Sequence, residues 1–322
     1  MLDDRYELVS LLGVGGMGEV WRARHVALDK AVAVKVLRFA APSARARFLR
    51  EARVLAALRH EGLVEVHDFG ETPHRFPYFV MELLEGESLA NRLDRERQVP
   101  AREAVRIAVA VAEGLSAAHA AGVIHRDVKP DNVLLVGSSR RPKVVDFGIA
   151  SAQRDGDERL TVSGAVLGTP QYMAPEIIRG EEGGAGADVW GLAVTLYEMV
   201  AGAPPFASND MIALFRKIVE DPLPFPRNAE MDGALFRVLA EALRKSPSER
   251  TPSMVVFGAQ LSAWLQARGE PPPSSARRSA ARAESEPLEP RAAPLVAPPP
   301  PREGDDDSPI TLDAVIRRTF GG

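Results

Sequence analysis

The run His125-Arg126-Asp127-Val128-Lys129-Pro130-Asp131-Asn132 places an acid, a lysine and an amide within reach of one another, between the apolar flanks Val123-Ile124 and Val133-Leu134-Leu135. A short loop ahead of a strand can aim Asp127 at a hydroxyl, Lys129 at a phosphoryl group and Asn132 at a metal ion, which is the equipment of phosphoryl transfer. Taken singly, each residue is an ordinary solvated loop polar; the order H-R-D-x-K-P-x-N carries the reading. Downstream, Asp146-Phe147-Gly148 follows the short strand pattern Lys143-Val144-Val145 and sets a second carboxylate at a strand end. Asp146 and Asn132 then form an oxygen-ligand pair for Mg²⁺, with Gly148 freeing the next loop to swing.

A phosphoryl donor needs its own cradle. Gly13-Val14-Gly15-Gly16-Met17-Gly18-Glu19-Val20 follows one strand pattern and opens another, so its glycines can let backbone amides close over phosphates. A plain hairpin turn is the competing reading of the glycines alone. A dinucleotide-binding βαβ unit would need a helix after them, where the next residues alternate as a strand, and a P-loop would need the absent Gly-Lys-Ser/Thr ending. In Ala31-Val32-Ala33-Val34-Lys35 a lone ammonium sits in an apolar strand, where burial without an anion is expensive. Glu51 on the following helical pattern is its natural partner, and the pair would hold Lys35 against the α and β phosphates.

Two kinds of structure must position these groups. From Tyr6 to Val36 the chain alternates as paired strands: Leu8 to Leu12, Val20 to Val26, then Ala31 to Leu37. A helix over Ser43 to Arg59, with Phe48, Ala52, Leu55 and Leu58 on one face, and further strands at Val64, Val66 and Tyr78 to Met81 complete a small α+β lobe, residues 1–84. The break at Glu85-Gly86-Glu87-Ser88 opens a mainly helical lobe, residues 85–268. The pattern predicts helices over Ala101 to Ala121 with Gly122 as terminator, Ala187 to Val200, Asn209 to Val219, Gly233 to Leu243 and Pro252 to Ala267. Residues 269–308 are rich in Pro, Ala and Arg and are expected to stay disordered, while Ile310, Leu312, Val315, Ile316 and Phe320 give 309–322 the spacing of a short amphipathic helix.

Composition narrows the classes. With 45% hydrophobic residues the chain can bury a core large enough for two lobes. A net charge of −4 argues against a nucleic-acid surface. The absence of cysteine excludes a disulfide framework and thiolate chemistry, and fits a cytoplasmic protein. The longest apolar run, Asp188 to Glu198, is far shorter than the roughly 20 residues of a membrane span, so none is expected. The start Met1-Leu2-Asp3-Asp4-Arg5 lacks the basic and apolar regions of a secretory signal.

Taken together, these motifs resemble the eukaryotic-type (Hanks-type) Ser/Thr protein kinases, most closely their bacterial branch, over about Tyr6 to Leu265. The resemblance implies a two-lobe kinase fold, ATP and Mg²⁺ (or Mn²⁺) as cofactors, and Ser/Thr hydroxyls of proteins as substrates. Motif by motif, Gly13, Gly15 and Gly18, with Leu12 before them, match the glycine-rich loop, and Lys35 and Glu51 the phosphate-anchoring pair. Asp127 matches the catalytic base, Lys129 the lysine of Ser/Thr kinases, and Asn132 and Asp146 the metal ligands. Val20, Ala33 and Leu134 would sandwich the adenine, Met81 would gate its pocket, and Glu82 and Leu84 would offer hinge backbone groups. Asp188 corresponds to the aspartate that braces the His125-Arg126 backbone, and Arg250 to the partner of Glu176 in Met173-Ala174-Pro175-Glu176. Val66, Leu55, Phe147 and His125 resemble the stacked column of an assembled active state. Arg126 wants an anion, which a phosphate on Thr161 or Ser163 would supply; Thr169 resembles the residue that packs beside Asp127 and Lys129 under the substrate. Self-association for autophosphorylation and a docking partner for the C-terminal helix complete the expectations. A catalytically silent nucleotide-binding scaffold and a small-molecule phosphotransferase of similar fold are the alternatives.

Overall fold

The computed structural model describes residues 1–15, 18–37, 52–72, 76–147, 170–226 and 230–270. Strands β1 (Tyr6–Gly15), β2 (Gly18–His25), β3 (Lys30–Leu37), β4 (Val66–Glu71) and β5 (Pro77–Glu82) form one antiparallel sheet in the order β1-β2-β3-β5-β4. Because side chains alternate along a strand, β3 divides its residues between two faces. Val32, Val34 and Val36 join Trp21, Ala23, Tyr78 and Val80 in a core covered by Leu2, Tyr6 and Leu8. On the other face Leu37 and Phe79 join Ala52, Leu55 and Val66 in a second core that runs without a break into the large lobe. Ala33 and Lys35 therefore look toward the junction between lobes.

Of the expected helix 43–59, residues 52–59 are described: 52–57 are helical, and the helix stops there, short of the expected end at Arg59. Past the break at 85–88 the chain is less purely helical than its pattern indicates. β6 (Gly86–Ser88), β7 (Val133–Val136) and β8 (Arg141–Val144) make a small antiparallel sheet in that order. Ser88 then caps a helix that the sequence pattern does not single out, α1 (Leu89–Glu96), its Oγ accepting from the Asn91 N–H at 3.1 Å.

The expected helices of the large lobe are present with shifts of a residue or two at their ends. They are α2 (Ala101–Ala120), α4 (Ala185–Ala201), α5 (Met211–Glu220), α6 (Gly233–Ala242) and α7 (Met254–Gln266), with the short α3 (Pro175–Ile178) between α2 and α4. Asp210, Asp232 and Ser253 cap α5, α6 and α7 with their side chains. Helix α4 is buried on nearly every side, as its continuous apolar sequence requires, and forms the axis against which α2, α6 and α7 pack. Arg268, stacked 3.9 Å over the Trp264 ring and ion-paired to Asp232, ties the end of α7 to the start of α6. The expectations for 271–322, the amphipathic segment included, lie outside the described residues. Among the described residues no helix is long and apolar enough to cross a membrane.

Candidate active site

The loop that carries Asp127 is held from below by one buried carboxylate. Helix α2 ends at the left-handed Gly122 (φ 80°) and delivers His125 to the first turn of α4, where Asp188 is wholly buried. Asp188 accepts the His125 N–H at 2.9 Å, the Arg126 N–H at 2.7 Å and His119 Nε2 at 2.7 Å. The positive end of the α4 dipole supports its negative charge. With both backbone N–H groups committed, Arg126 takes a left-handed conformation (φ 66°), and the chain bends so that Asp127 rises toward the cleft. Gly191 of α4 lies directly beneath: a Cβ there would come within 2.6 Å of the Val128 carbonyl oxygen, so a glycine lets loop and helix touch.

At the top of the loop Lys129 Nζ donates to Asp127 Oδ2 at 2.8 Å, and Asn132 Nδ2 donates to the Asp127 carbonyl at 2.7 Å and to Oδ2 at 3.1 Å. One carboxylate oxygen is thereby fixed from two sides. Among the described residues the other oxygen, Oδ1, has no partner, and it is the one able to take a hydroxyl proton.

The second carboxylate is tied to the same loop. The Val145 N–H donates to the Asn132 carbonyl at 2.9 Å, and the Val145 carbonyl meets His125 Nε2 at 2.9 Å. Asp146 follows with φ 58° and turns its Oδ1 to Lys35 Nζ at 2.8 Å. The expected partner of Lys35, Glu51, lies outside the described residues. Both N–H bonds of the Asn132 amide go to Asp127, which leaves its amide oxygen to offer alongside Asp146 Oδ2. Two hard oxygens fit Mg²⁺, which completes its shell with water and phosphate oxygens. Phe147 packs on His125 with ring centroids 4.8 Å apart, and Leu55, Val66, His125 and Phe147 are all buried.

The small-lobe residues converge through strand register. Gly13 stands opposite Val20, Val20 opposite Lys35, and Ala33 opposite Met81, so the side chains of Val20, Lys35, Ala33 and Met81 share the face that looks into the cleft. Gly18 crosses so close to β3 that a Cβ would meet the Val36 carbonyl oxygen at 2.0 Å. Gly13 and Gly15 have open space where a Cβ would stand, and Leu12 lies exposed beside a register shift of β1. Leu134 on β7 faces partly outward from the large-lobe side, and Leu84 lies between the two sheets in the chain. Glu82 stands opposite Val32, on the face away from Lys35.

Glu176 and Arg250 form a parallel pair of hydrogen bonds, both 2.8 Å, in full burial, and Arg250 also donates to the carbonyls of Gly186 and Arg244. Thr161, Ser163, Thr169 and Gly148 lie outside the described residues. The sequence pattern gives no sign of His119, Lys143 or the Tyr172–Glu198 pair. Tyr172 donates to Glu198 Oε2 at 2.6 Å, and burial, with Asp131 and Asp94 nearby, raises the Glu198 carboxyl above its usual range.

Comparison with known proteins agrees with this geometry. The family model for the protein kinase domain matches residues 6–260. Serine/threonine-protein kinase PknB of Mycolicibacterium smegmatis is 41% identical over 268 residues, 81% of this chain and 43% of that protein. PknB of Mycobacterium tuberculosis is 39% identical over 279 residues, covering 84% of this chain and 44% of that protein. Serine/threonine-protein kinase pkn3 of Myxococcus xanthus is 39% identical over 271 residues, covering 80% and 50% respectively. The chain spans about half or less of the length of these relatives. A family match over most of the chain, and bacterial kinases aligned through both lobes, show that the chain belongs to the protein kinase domain family in its eukaryotic-type form.

Proposed function

We propose that this chain is an ATP- and Mg²⁺-dependent protein kinase that transfers the γ-phosphoryl group to Ser and Thr hydroxyls. The observation that carries the reading is the state of Asp127: one oxygen pinned by Lys129 and Asn132, the other without a partner among the described residues, beside the strand that turns Asp146 toward Lys35. A carboxylate so fixed can orient a hydroxyl and take its proton without reorganising. Lys129 lies where it can offset charge on the transferring group. Lys35 holds the phosphates from the small lobe, and the glycine loop closes over them. Bound Mg²⁺, held by Asn132 and Asp146, would neutralise charge on the phosphate oxygens.

Lys129 and the Ala174-Pro175-Glu176 segment favour protein over small-molecule substrates by family resemblance, and the names of the relatives point to Ser and Thr. We place the switch phosphate on Thr161 or Ser163, answering Arg126, and assign Thr169 to positioning the substrate. Self-association for autophosphorylation and docking of the C-terminal segment belong to the same reading, and the cysteine-free sequence suits the cytoplasm.

Mass spectrometry of the full chain after incubation with Mg-ATP tests activity and sites together. Phosphate on Ser or Thr in the wild type and none in Asp127→Asn is the expected result. Identical spectra for the two proteins would refute it.

A further inference from the structure

One carboxylate at the cleft is turned away from it. Glu82 ends β5, next to Met81, yet its side chain serves the rear of the sheet. Its Oε1 accepts the Glu65 backbone N–H at 2.8 Å and the Lys143 ammonium at 2.5 Å, while the Glu82 N–H donates to the Glu65 carbonyl at 3.0 Å. Lys143 donates in addition to the Leu63 carbonyl at 3.3 Å. The segment around Leu63 is knitted to β8 by its backbone, Val64 N–H to the Val144 carbonyl at 3.0 Å and Val144 N–H to the Gly62 carbonyl at 2.8 Å. The Lys143 and Glu82 side chains are only 20% and 25% exposed, so solvent screens the pair incompletely. Beyond Lys143 the chain runs through Val144 and Val145 to Asp146. This ion pair, beside the backbone bonds through Glu65 and Val64, thus joins the strand end bordering the adenine face to the strand that carries the metal-facing carboxylate.

We propose that the Lys143–Glu82 pair is a positioning device for the metal-bound nucleotide. It fixes the spacing between the base-binding edge at 81–84 and Asp146, so it acts on a ligand that must satisfy both ends at once. The proposal rests on the nucleotide and metal reading given above. Metal-free ADP engages the base-binding edge and Lys35 but makes no demand on Asp146 as a metal ligand, whereas Mg-ADP engages both. Loss of the pair therefore erodes the gain in affinity that Mg²⁺ confers and spares the metal-free affinity.

Calorimetric titration of the full chain with ADP, in chelator and in Mg²⁺, reads this directly. Lys143→Met is expected to cut the Mg²⁺-dependent gain about tenfold while metal-free ADP binding stays within about twofold. Lys143→Arg, which keeps the charge, should retain the gain. Lys143→Gln, also neutral, should reproduce Lys143→Met and stands in if that variant does not fold. Equal weakening of both ligand forms would make the pair a merely structural brace, and an unchanged Mg²⁺ gain in both variants would equally overturn the proposal. If the wild type bound no ADP, or bound it without response to Mg²⁺, the nucleotide and metal reading itself would fail instead.

Discussion

The catalytic loop and the glycine-rich hairpin face each other across the cleft and are built in opposite ways. The loop from His125 to Asn132 is fixed at many points: Asp188 below, Lys129 and Asn132 above, Val145 alongside, with His125 and Asp188 wholly buried. The hairpin is held chiefly by its backbone ladder, with Leu12 and Val14 exposed and Gly13 and Gly15 in open space. A proton acceptor must not reorganise as the reaction proceeds, whereas a cover for phosphates must admit and release nucleotide. On the proposed reading, the many-point fixation falls where charge must be aimed and the sparser one where a ligand must pass.

This contrast makes separable predictions. The largest effect belongs beneath the loop. Asp188→Ala leaves two backbone N–H groups, that of His125 buried, and His119 without their acceptor, and should cost about 3–5 kcal/mol of stability together with most of the phosphoryl transfer. Chemical denaturation with a transfer assay checks both, and a variant stable but inactive, or active but unstable, would break the link between scaffold and chemistry. Lys35→Met acts on the other side of the cleft. Its pair with Asp146 is partly exposed, so stability should change by less than about 1 kcal/mol. Its kcat/KM for ATP should nevertheless fall at least about 100-fold, because the phosphates lose their anchor. A melting curve and ATP titration on one preparation separate the two quantities.

The smallest effect lies far from the cleft. The Lys245 ammonium donates to the Ile218 carbonyl at 2.6 Å and rests 3.9 Å from the Phe206 ring centroid; burial pushes its pKa down to about 8 from 10.5. The unfolded chain holds this proton up to the ordinary lysine range, but the folded chain releases it near pH 8. Between those limits the unfolded state binds more protons, so this group makes stability rise with pH, a contribution lost as pH falls through 8. Denaturation midpoints of wild type and Lys245→Met from pH 7.5 upward should diverge in slope, the variant rising less; parallel curves would contradict the assignment.

The same division governs what could be read from the sequence. Asp127, Lys129, Asn132 and Asp146 stand out in the sequence because the chemistry proposed for them depends on residue type at fixed local spacing, and the long helices because their apolar period repeats over several turns. The brace at Asp188 has no local signature: it is a carboxylate inside an apolar helix, 63 residues from the backbone it holds, and only the family resemblance pointed to it. Lys143 is indistinguishable from any other residue of a strand pattern, its partner being 61 residues away. β6 and β7, of three and four residues, are too short for alternation to show. Helix α1 was hidden by its charged composition, its start marked only by Ser88.

The central claim is that Asp127, with one oxygen pinned by Lys129 and Asn132, is the group that activates the substrate hydroxyl. Incorporation of labelled phosphate from Mg-ATP into a basic protein, compared between wild type and Asp127→Asn, tests it most directly. Loss of at least about 100-fold in rate, with nucleotide binding retained, is the result this geometry predicts. Equal incorporation by the two proteins would contradict it.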